Sequence, residues 1–217
     1  MSEFAELTPV EARVLGALLE KEMTTPEYYP LTLNALVNAC NQKNNRDPIT
    51  AYAEAEVSGA LADLRAKGLL LELSGVGHRV PKYSQRLMER LNLGRREHAL
   101  LCELLLRGPQ TLGELRARAE RIHAFSDLEE IESCLCRLAE RQEGALVRRM
   151  PRQAGTKEER WAQLLGGQPT WPEEAAVAAP TPRGDRVAAL EEQIVGLRAE
   201  VAALREEFRN FRRQFES

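Results

Sequence analysis

The chain has 217 residues, 43% of them hydrophobic, and its 33 acidic and 30 basic side chains give a formal net charge of −3. This length provides room for two small domains and a tail, and it excludes a single large enzyme domain. The negative balance excludes a global basic field that attracts nucleic acid or anionic lipid, so any such contact must be local.

The start of the chain carries no pattern of a targeting signal. Residues 1–10 contain neither a basic segment nor the apolar core of a signal peptide. No apolar run in the sequence approaches the roughly 20 residues that span a bilayer. We therefore expect a cytoplasmic protein without a membrane contact.

The first helix is predicted to begin at Pro9. Thr8 suits the N-cap, Pro9 suits the first helical position, and Glu11 completes a capping pattern. The apolar residues that follow are spaced to share one face of a helix. They are Val14, Leu15, Leu18 and Leu19.

Two more helices and a strand pair follow in the first half of the chain. The helices are predicted at residues 31–41 and 54–67, with an asparagine-rich turn between them and Gly68 as a C-terminal cap. Residues 69–73 and 79–83 alternate as two strands of a hairpin. Three short helices followed by a hairpin, the wing, are typical of a winged helix-turn-helix domain.

The same pattern occurs a second time in residues 93–165, with strands at residues 146–150 and 160–161. Matching apolar positions of the three helices include Leu18 and Leu104, Leu36 and Leu115, and Leu61 and Leu135. The sequence therefore predicts a mainly α protein with small β-hairpins. Its two tandem winged helix-turn-helix domains are expected at residues 1–92 and 93–165.

The end of the chain changes in character. Residues 166–186 are rich in proline and alanine and predict a flexible linker. In residues 187–217, apolar positions then alternate at spacings of three and four, which predicts a parallel coiled coil and a homodimer. These positions are Val187, Leu190, Ile194, Leu197, Val201, Leu204, Phe208, Phe211 and Phe215. The phenylalanines at the end are bulkier than a dimer seam prefers and leave a higher oligomer open.

Motifs of enzymes and metal sites are missing from the sequence. Cys134 and Cys136 lie two positions apart in a predicted helix and face different directions, so they suit no zinc site, and Cys134 is expected in the core. The three histidines are scattered, and no nucleophile motif or phosphate-binding glycine loop occurs. We expect a non-enzymatic protein without a cofactor or a metal.

The charges argue against standard insertion of the third helices into a DNA groove. Residues 54–67 hold three acids and two bases, and residues 127–141 hold five acids and two bases. Basic residues are concentrated instead on the predicted wings and in the asparagine-rich turn. The candidate phosphate contacts are Lys43, Asn44, Arg46, Arg79, Lys82, Arg148, Arg149, Arg152 and Lys157.

Several motifs in series resemble the YceH family of bacterial proteins. They include TTPEYYPLTLNAL at residues 24–36, ACNQKNNRDP at 39–48, GHRVPKY at 77–83 and HAFSDLEEIES at 123–133. LLLRGPQTLGELRARA at residues 104–119 belongs to the same set. The resemblance covers nearly all of residues 7–165 and implies two tandem winged helices, but it implies no assigned activity.

Two functional hypotheses remain at this point. The first is a DNA-associated or transcription-related protein whose wings contact phosphates. The alternative is a protein-interaction module that resembles the tandem winged-helix subunit of bacterial condensin, segregation and condensation protein B. The acidic third helices favour the alternative, whereas the precedent of the fold favours the first.

Overall fold

The computed structural model describes residues 6–75, 78–152 and 158–167. The predicted coiled-coil residues at 187–217 and nearly all of the predicted linker lie outside the described residues. The coiled coil and the dimer stay predictions. Within the described ranges the fold is mainly α with two small antiparallel sheets, as the sequence predicts.

Helix α1 (Pro9–Thr24) is the central helix of the fold. Its predicted start is confirmed, because Thr8 and Glu11 form a capping box at its N-terminus. The sequence suggests one apolar face, but residues 11–20 are buried all round. The reason is that α2 and α3 cover one side of α1 while α5 of the second repeat covers another.

Between residues 26 and 85 the first repeat consists of a short 3₁₀ helix (Pro26–Tyr28), two α-helices and three strands. Helices α2 (Leu33–Cys40) and α3 (Glu54–Ala66) precede strands β2 (Leu70–Gly75) and β3 (His78–Gln85), which form the first hairpin. The predicted start of the second helix at residue 31 is two residues early. Leu31 and Thr32 instead form strand β1, which pairs with Tyr83 and Lys82 of β3 in a sheet of order β1-β3-β2.

Helix α4 (Leu87–Leu91) leads into the second repeat. Its helices are α5 (Arg95–Arg107), α6 (Leu112–Ala119) and α7 (Leu128–Ala139), and its strands β4 (Val147–Met150) and β5 (Arg160–Gln163) form the second hairpin. A single bridge between Gln110 and Trp161 occupies the place that β1 has in the first repeat.

The two repeats share one hydrophobic core. Helices α1 and α5 pack directly on each other, and both are buried over most of their length. Gly16 permits this contact, because a methyl group there would lie 3.0 Å from Leu106 Cδ2 and 3.1 Å from Leu105 Cβ. Leu36, Leu61 and Leu115 are buried as predicted, and so is Cys134.

The described ends of the chain also join the repeats. The Leu7 amide donates a 2.7 Å hydrogen bond to the carbonyl of Leu165. Lys67, after α3, bonds to the Glu6 carbonyl at 3.0 Å and to the buried Glu11 carboxylate at 2.6 Å. None of the helices among the described residues is long and apolar enough to cross a membrane.

Candidate nucleic-acid interface

The structure places Arg46, a predicted phosphate contact, in the interior. Its guanidinium lies 2.5 Å from Glu20 of α1 and donates a 3.0 Å hydrogen bond from Nε to the Ala39 carbonyl. The side chain is fully buried, so it is not available to a phosphate in this conformation. The only trace of this pairing in the sequence is Glu20 itself, an acid at the end of the apolar run of α1.

The loop between α2 and α3 is held from the inside. Arg13 donates a 2.7 Å hydrogen bond to the Pro48 carbonyl, and Asn41 exchanges two 2.8 Å hydrogen bonds with the backbone of Tyr52. Burial and the neighbouring Arg46 lower the pKa of Arg13 from its usual range, yet its backbone acceptors satisfy it. The loop leaves two predicted contacts exposed, Lys43 and Asn44.

The first hairpin carries two predicted contacts on β3. Arg79 is exposed and Lys82 is half-buried opposite Leu73 of β2. Neither side chain forms an ion pair with a described carboxylate. Val80, between them, is also 53% exposed. This strand therefore presents two uncompensated positive charges to solvent.

The second hairpin uses its basic residues differently. Arg149 forms ion pairs with Glu132 of α7 and with Glu159, the latter at 3.3 Å, and its guanidinium lies 5.2 Å from the centre of the Trp161 ring. Arg160 pairs with Glu114 of α6 at 2.8 Å. These charges are compensated inside the repeat.

The remaining predicted contacts of the second hairpin have different surroundings. Arg148 is exposed on β4. Arg152 follows β4, is exposed and has no ion pair with a described carboxylate. Lys157 lies outside the described residues.

Two arginines in and just after α6, Arg118 and Arg121, also pair with carboxylates of the second repeat. Arg118 pairs with Glu114 at 3.4 Å, and Arg121 binds Glu103 at 2.6 Å. Burial lowers the pKa of Arg121, but Glu103 and Glu20 outweigh it and raise the pKa above the usual range. The number of basic residues clustered in the sequence therefore overestimates the number of basic side chains without an acidic partner.

The third helices offer no basic reading surface. The exposed side of α3 carries the small residues Ala55, Gly59, Ala62 and Ala66 beside three acids and a single arginine, Arg65. On α7, Glu130 pairs with Arg96 at 2.8 Å and Glu132 pairs with Arg149, so part of its acidic charge is neutralised. Each helix carries one arginine, Arg65 on α3 and Arg137 on α7, and both are paired with glutamates, so neither helix presents a row of free donors to base edges.

A groove runs between α3 and the first hairpin. Its volume is about 490 Å³, and the Arg65–Glu72 ion pair of 2.7 Å closes one edge. Its lining residues are Ser58, Leu61, Ala62, Arg65, Ala66, Glu72 and Tyr83. Burial raises the pKa of Tyr83, so its hydroxyl stays protonated at neutral pH.

Two of the buried cysteines, Cys40 and Cys134, provide no reactive thiolate. Burial raises the pKa of Cys40 and of Cys134 to about 12. Both thiols are therefore protonated and inert at neutral pH. No group of three or more metal-ligating side chains is assembled within the part of the chain that the structure describes.

Comparison with known proteins gives relatives but no activity. The model of a family described as "Protein of unknown function, DUF480" matches residues 7–156. A UPF0502 protein of Solibacter usitatus is 57% identical over 215 residues, which cover 97% of this chain and 98% of the relative. UPF0502 proteins of Pelobacter propionicus and Geobacter sulfurreducens are each 54% identical, over 97% and 91% of this chain and 98% and 90% of theirs.

Proposed function

Because the chain belongs to the DUF480 family, whose description assigns no function, we propose a function from the residues themselves. The protein is a non-enzymatic tandem winged-helix protein that contacts nucleic-acid phosphates through its hairpins and the loop before α3. Membership in this family agrees with the resemblance to the YceH family, which also has no assigned activity.

The order of elements supports the winged-helix interpretation. The first repeat runs in the order helix α1, short strand β1, helices α2 and α3, and the hairpin of β2 and β3. Its sheet has the order β1-β3-β2. The second repeat keeps this order and reduces the first strand to the Gln110–Trp161 bridge. We treat residues 1–92 and 93–165 as two such units that share one core.

The distribution of free positive charge carries the proposal. In a chain of net charge −3, most of the described arginines pair with carboxylates or backbone carbonyls of the fold. The predicted contacts that keep an uncompensated positive charge among the described residues are Lys43, Arg79, Lys82 and Arg152. Three of these lie on or beside a hairpin, where a phosphate can reach them.

The same surface predicts binding that ignores sequence. Phosphate contacts position a protein on a duplex, but they carry no direct information about bases. The exposed side of α3 offers small residues, acids and the paired Arg65, and therefore no free donor to base edges. Binding should therefore be weak, nearly independent of sequence and sensitive to salt.

The test is fluorescence anisotropy of the full chain with duplexes of random sequence at low and physiological salt. We expect the double variant Arg79→Gln, Lys82→Gln to lose most of the binding seen at low salt, because it removes two of the free charges.

The matched control is Arg65→Gln, Arg86→Gln. It removes the same net charge from the same repeat, but at positions paired with Glu72 and Glu89. This control should bind nearly as wild type does. Equal losses in the two double variants would show that only net charge matters and would overturn the proposal, as would the absence of binding at low salt.

A protein-interaction module is the second candidate, and the groove beside α3 favours it. Small residues on its floor allow close approach of another chain, as in the alternative that resembles segregation and condensation protein B. Ala62→Gln would fill the groove without adding charge. Under this candidate, the variant loses a protein that wild type retains from nuclease-treated lysate; under the first, the variant keeps wild-type binding to duplexes.

A further inference from the structure

Charged and polar side chains form a closed ring between the two repeats. Glu20 of α1 binds Arg46 of the loop at 2.5 Å and also binds Arg121 of the second repeat. Arg121 binds Glu103 of α5 at 2.6 Å, and Arg107 approaches Glu103 at 3.2 Å.

Asn45 closes the ring. The second guanidinium nitrogen of Arg107, Nη2, donates a 2.5 Å hydrogen bond to the Asn45 side chain, and Arg46 donates one of 2.8 Å to the Asn45 carbonyl. Three members come from the first repeat and three from the second. The ring is therefore a connection between repeats and not an internal brace of either.

Most of the charged groups of the ring are buried, so each needs a partner of opposite charge. The side chains of Glu20, Glu103 and Arg46 are at most 1% exposed. Burial opposes ionisation of Glu20, but the hydrogen bonds and charges of Arg46 and Arg121 outweigh it and lower its pKa. Buried charges of this kind are tolerated only in the arrangement that pairs them, so the ring admits one register of the repeats.

Two members of the ring, Asn45 and Arg46, belong to the loop that precedes α3. Besides the Arg107–Asn45 bond, the Asp47 amide donates a 3.0 Å hydrogen bond to the Leu106 carbonyl at the end of α5. Two of the bonds that cross between repeats thus hold this loop. Apolar packing of α1 on α5 is not directional and cannot fix the loop in this way.

We propose that the ring is a clasp through which the second repeat fixes the conformation of the loop between α2 and α3. Arg13 and Asn41 hold the loop from within the first repeat, and α5 adds Arg107 and the Leu106 carbonyl, which fix residues 45 and 47. This inference goes beyond the proposed function and does not rest on it, since the clasp acts whether the exposed side of the loop meets nucleic acid, protein or solvent.

The test is amide hydrogen exchange of the full chain in wild type and in Arg107→Gln. Arg107 is the mildest member to replace, because its side chain is 18% exposed and its Nε faces Glu103 without a hydrogen bond. We expect exchange of the Asp47 amide to accelerate by about tenfold or more, while the amides of α7 keep their protection.

Arg118→Gln is the matched control. Arg118 also pairs with a glutamate of its own helix at i,i+4 spacing, but it belongs to the second repeat alone. Exchange at Asp47 should not change in this variant. Unchanged protection of Asp47 in Arg107→Gln would overturn the clasp, and so would uniform acceleration across the chain, which indicates general loss of stability.

Discussion

At the scale of the residue, the contact between the repeats buries a titratable group, His98, and changes its pKa. It lies in α5 and is 5% exposed, and its Nε2 is 2.7 Å from the Leu19 carbonyl of α1. Burial lowers the pKa of His98 below 6.5, and Arg95 lowers it further, against the opposing effects of the hydrogen bond and Glu22. The imidazole is therefore neutral at pH 7.

This burial predicts a dependence of stability on pH. Between pH 6.5 and the lower pKa of the folded state, the unfolded chain binds a proton on His98 that the folded chain does not bind. The free energy of unfolding should therefore fall as the pH is lowered from 7 to 5. Urea denaturation at several pH values measures this slope.

Two variants separate His98 from other groups. His98→Gln should flatten the slope between pH 7 and 5, whereas His123→Gln, at a half-exposed position, should keep it. The pKa of the buried Glu20 is lowered from 4.5 by Arg46 and Arg121 against its burial, so its carboxylate stays ionised in the folded chain across this window. An unchanged slope in His98→Gln would show that another group is responsible.

The sequence predicts contacts between residues that are close in the chain better than contacts between distant ones. The Thr8 cap is legible because its partners are three positions away. The prediction that Arg46 is an exposed phosphate contact is wrong, because its location depends on Glu20, which is 26 positions away in sequence. A basic residue among asparagines resembles a surface cation until the fold brings a buried acid to it.

At the scale of the element, local signals predict helices better than strand pairing. The start of α1 agrees with the sequence, and the bounds of α3 agree to within one residue, because caps and glycine punctuation define them. Strand β1 and the Gln110–Trp161 bridge could not be predicted, since their partners lie about 50 residues away. The sequence alone likewise does not distinguish unpaired basic side chains from paired ones, because the fold decides which acids lie beside them.

Helix α3 provides a test of the core. Leu61 is 3% exposed and faces inward, so Leu61→Ala should lower the free energy of unfolding by about 2–5 kcal/mol. Leu71→Ala on β2 is the matched control, because that leucine is 44% exposed and loses little burial. Chemical denaturation measures both, and equal losses would contradict the inward orientation of Leu61.

At the scale of the whole molecule, the described fold is one body made of two repeats. The apolar contact of α1 with α5, the polar ring and the bond between Leu7 and Leu165 all connect the repeats. Residues 187–217 add a proposed parallel coiled coil. Two bodies joined in this way would gain avidity on a long partner even if each contact is weak.

The proposed dimer is tested by light scattering. We expect the full chain to have the mass of a dimer at micromolar concentration and a chain ending at Gly167 to have that of a monomer, because the heptad seam is then removed. A monomeric full chain, or a shortened chain that dimerises equally well, would refute the proposal.

The central claim is that a few uncompensated bases contact phosphates. The slope of log K against log salt for duplex binding counts such contacts most directly. Four contacts predict a slope of about −3 to −4, and the double variant Arg79→Gln, Lys82→Gln predicts about −2. A much steeper wild-type slope, or a slope that the double variant leaves unchanged, would contradict the account.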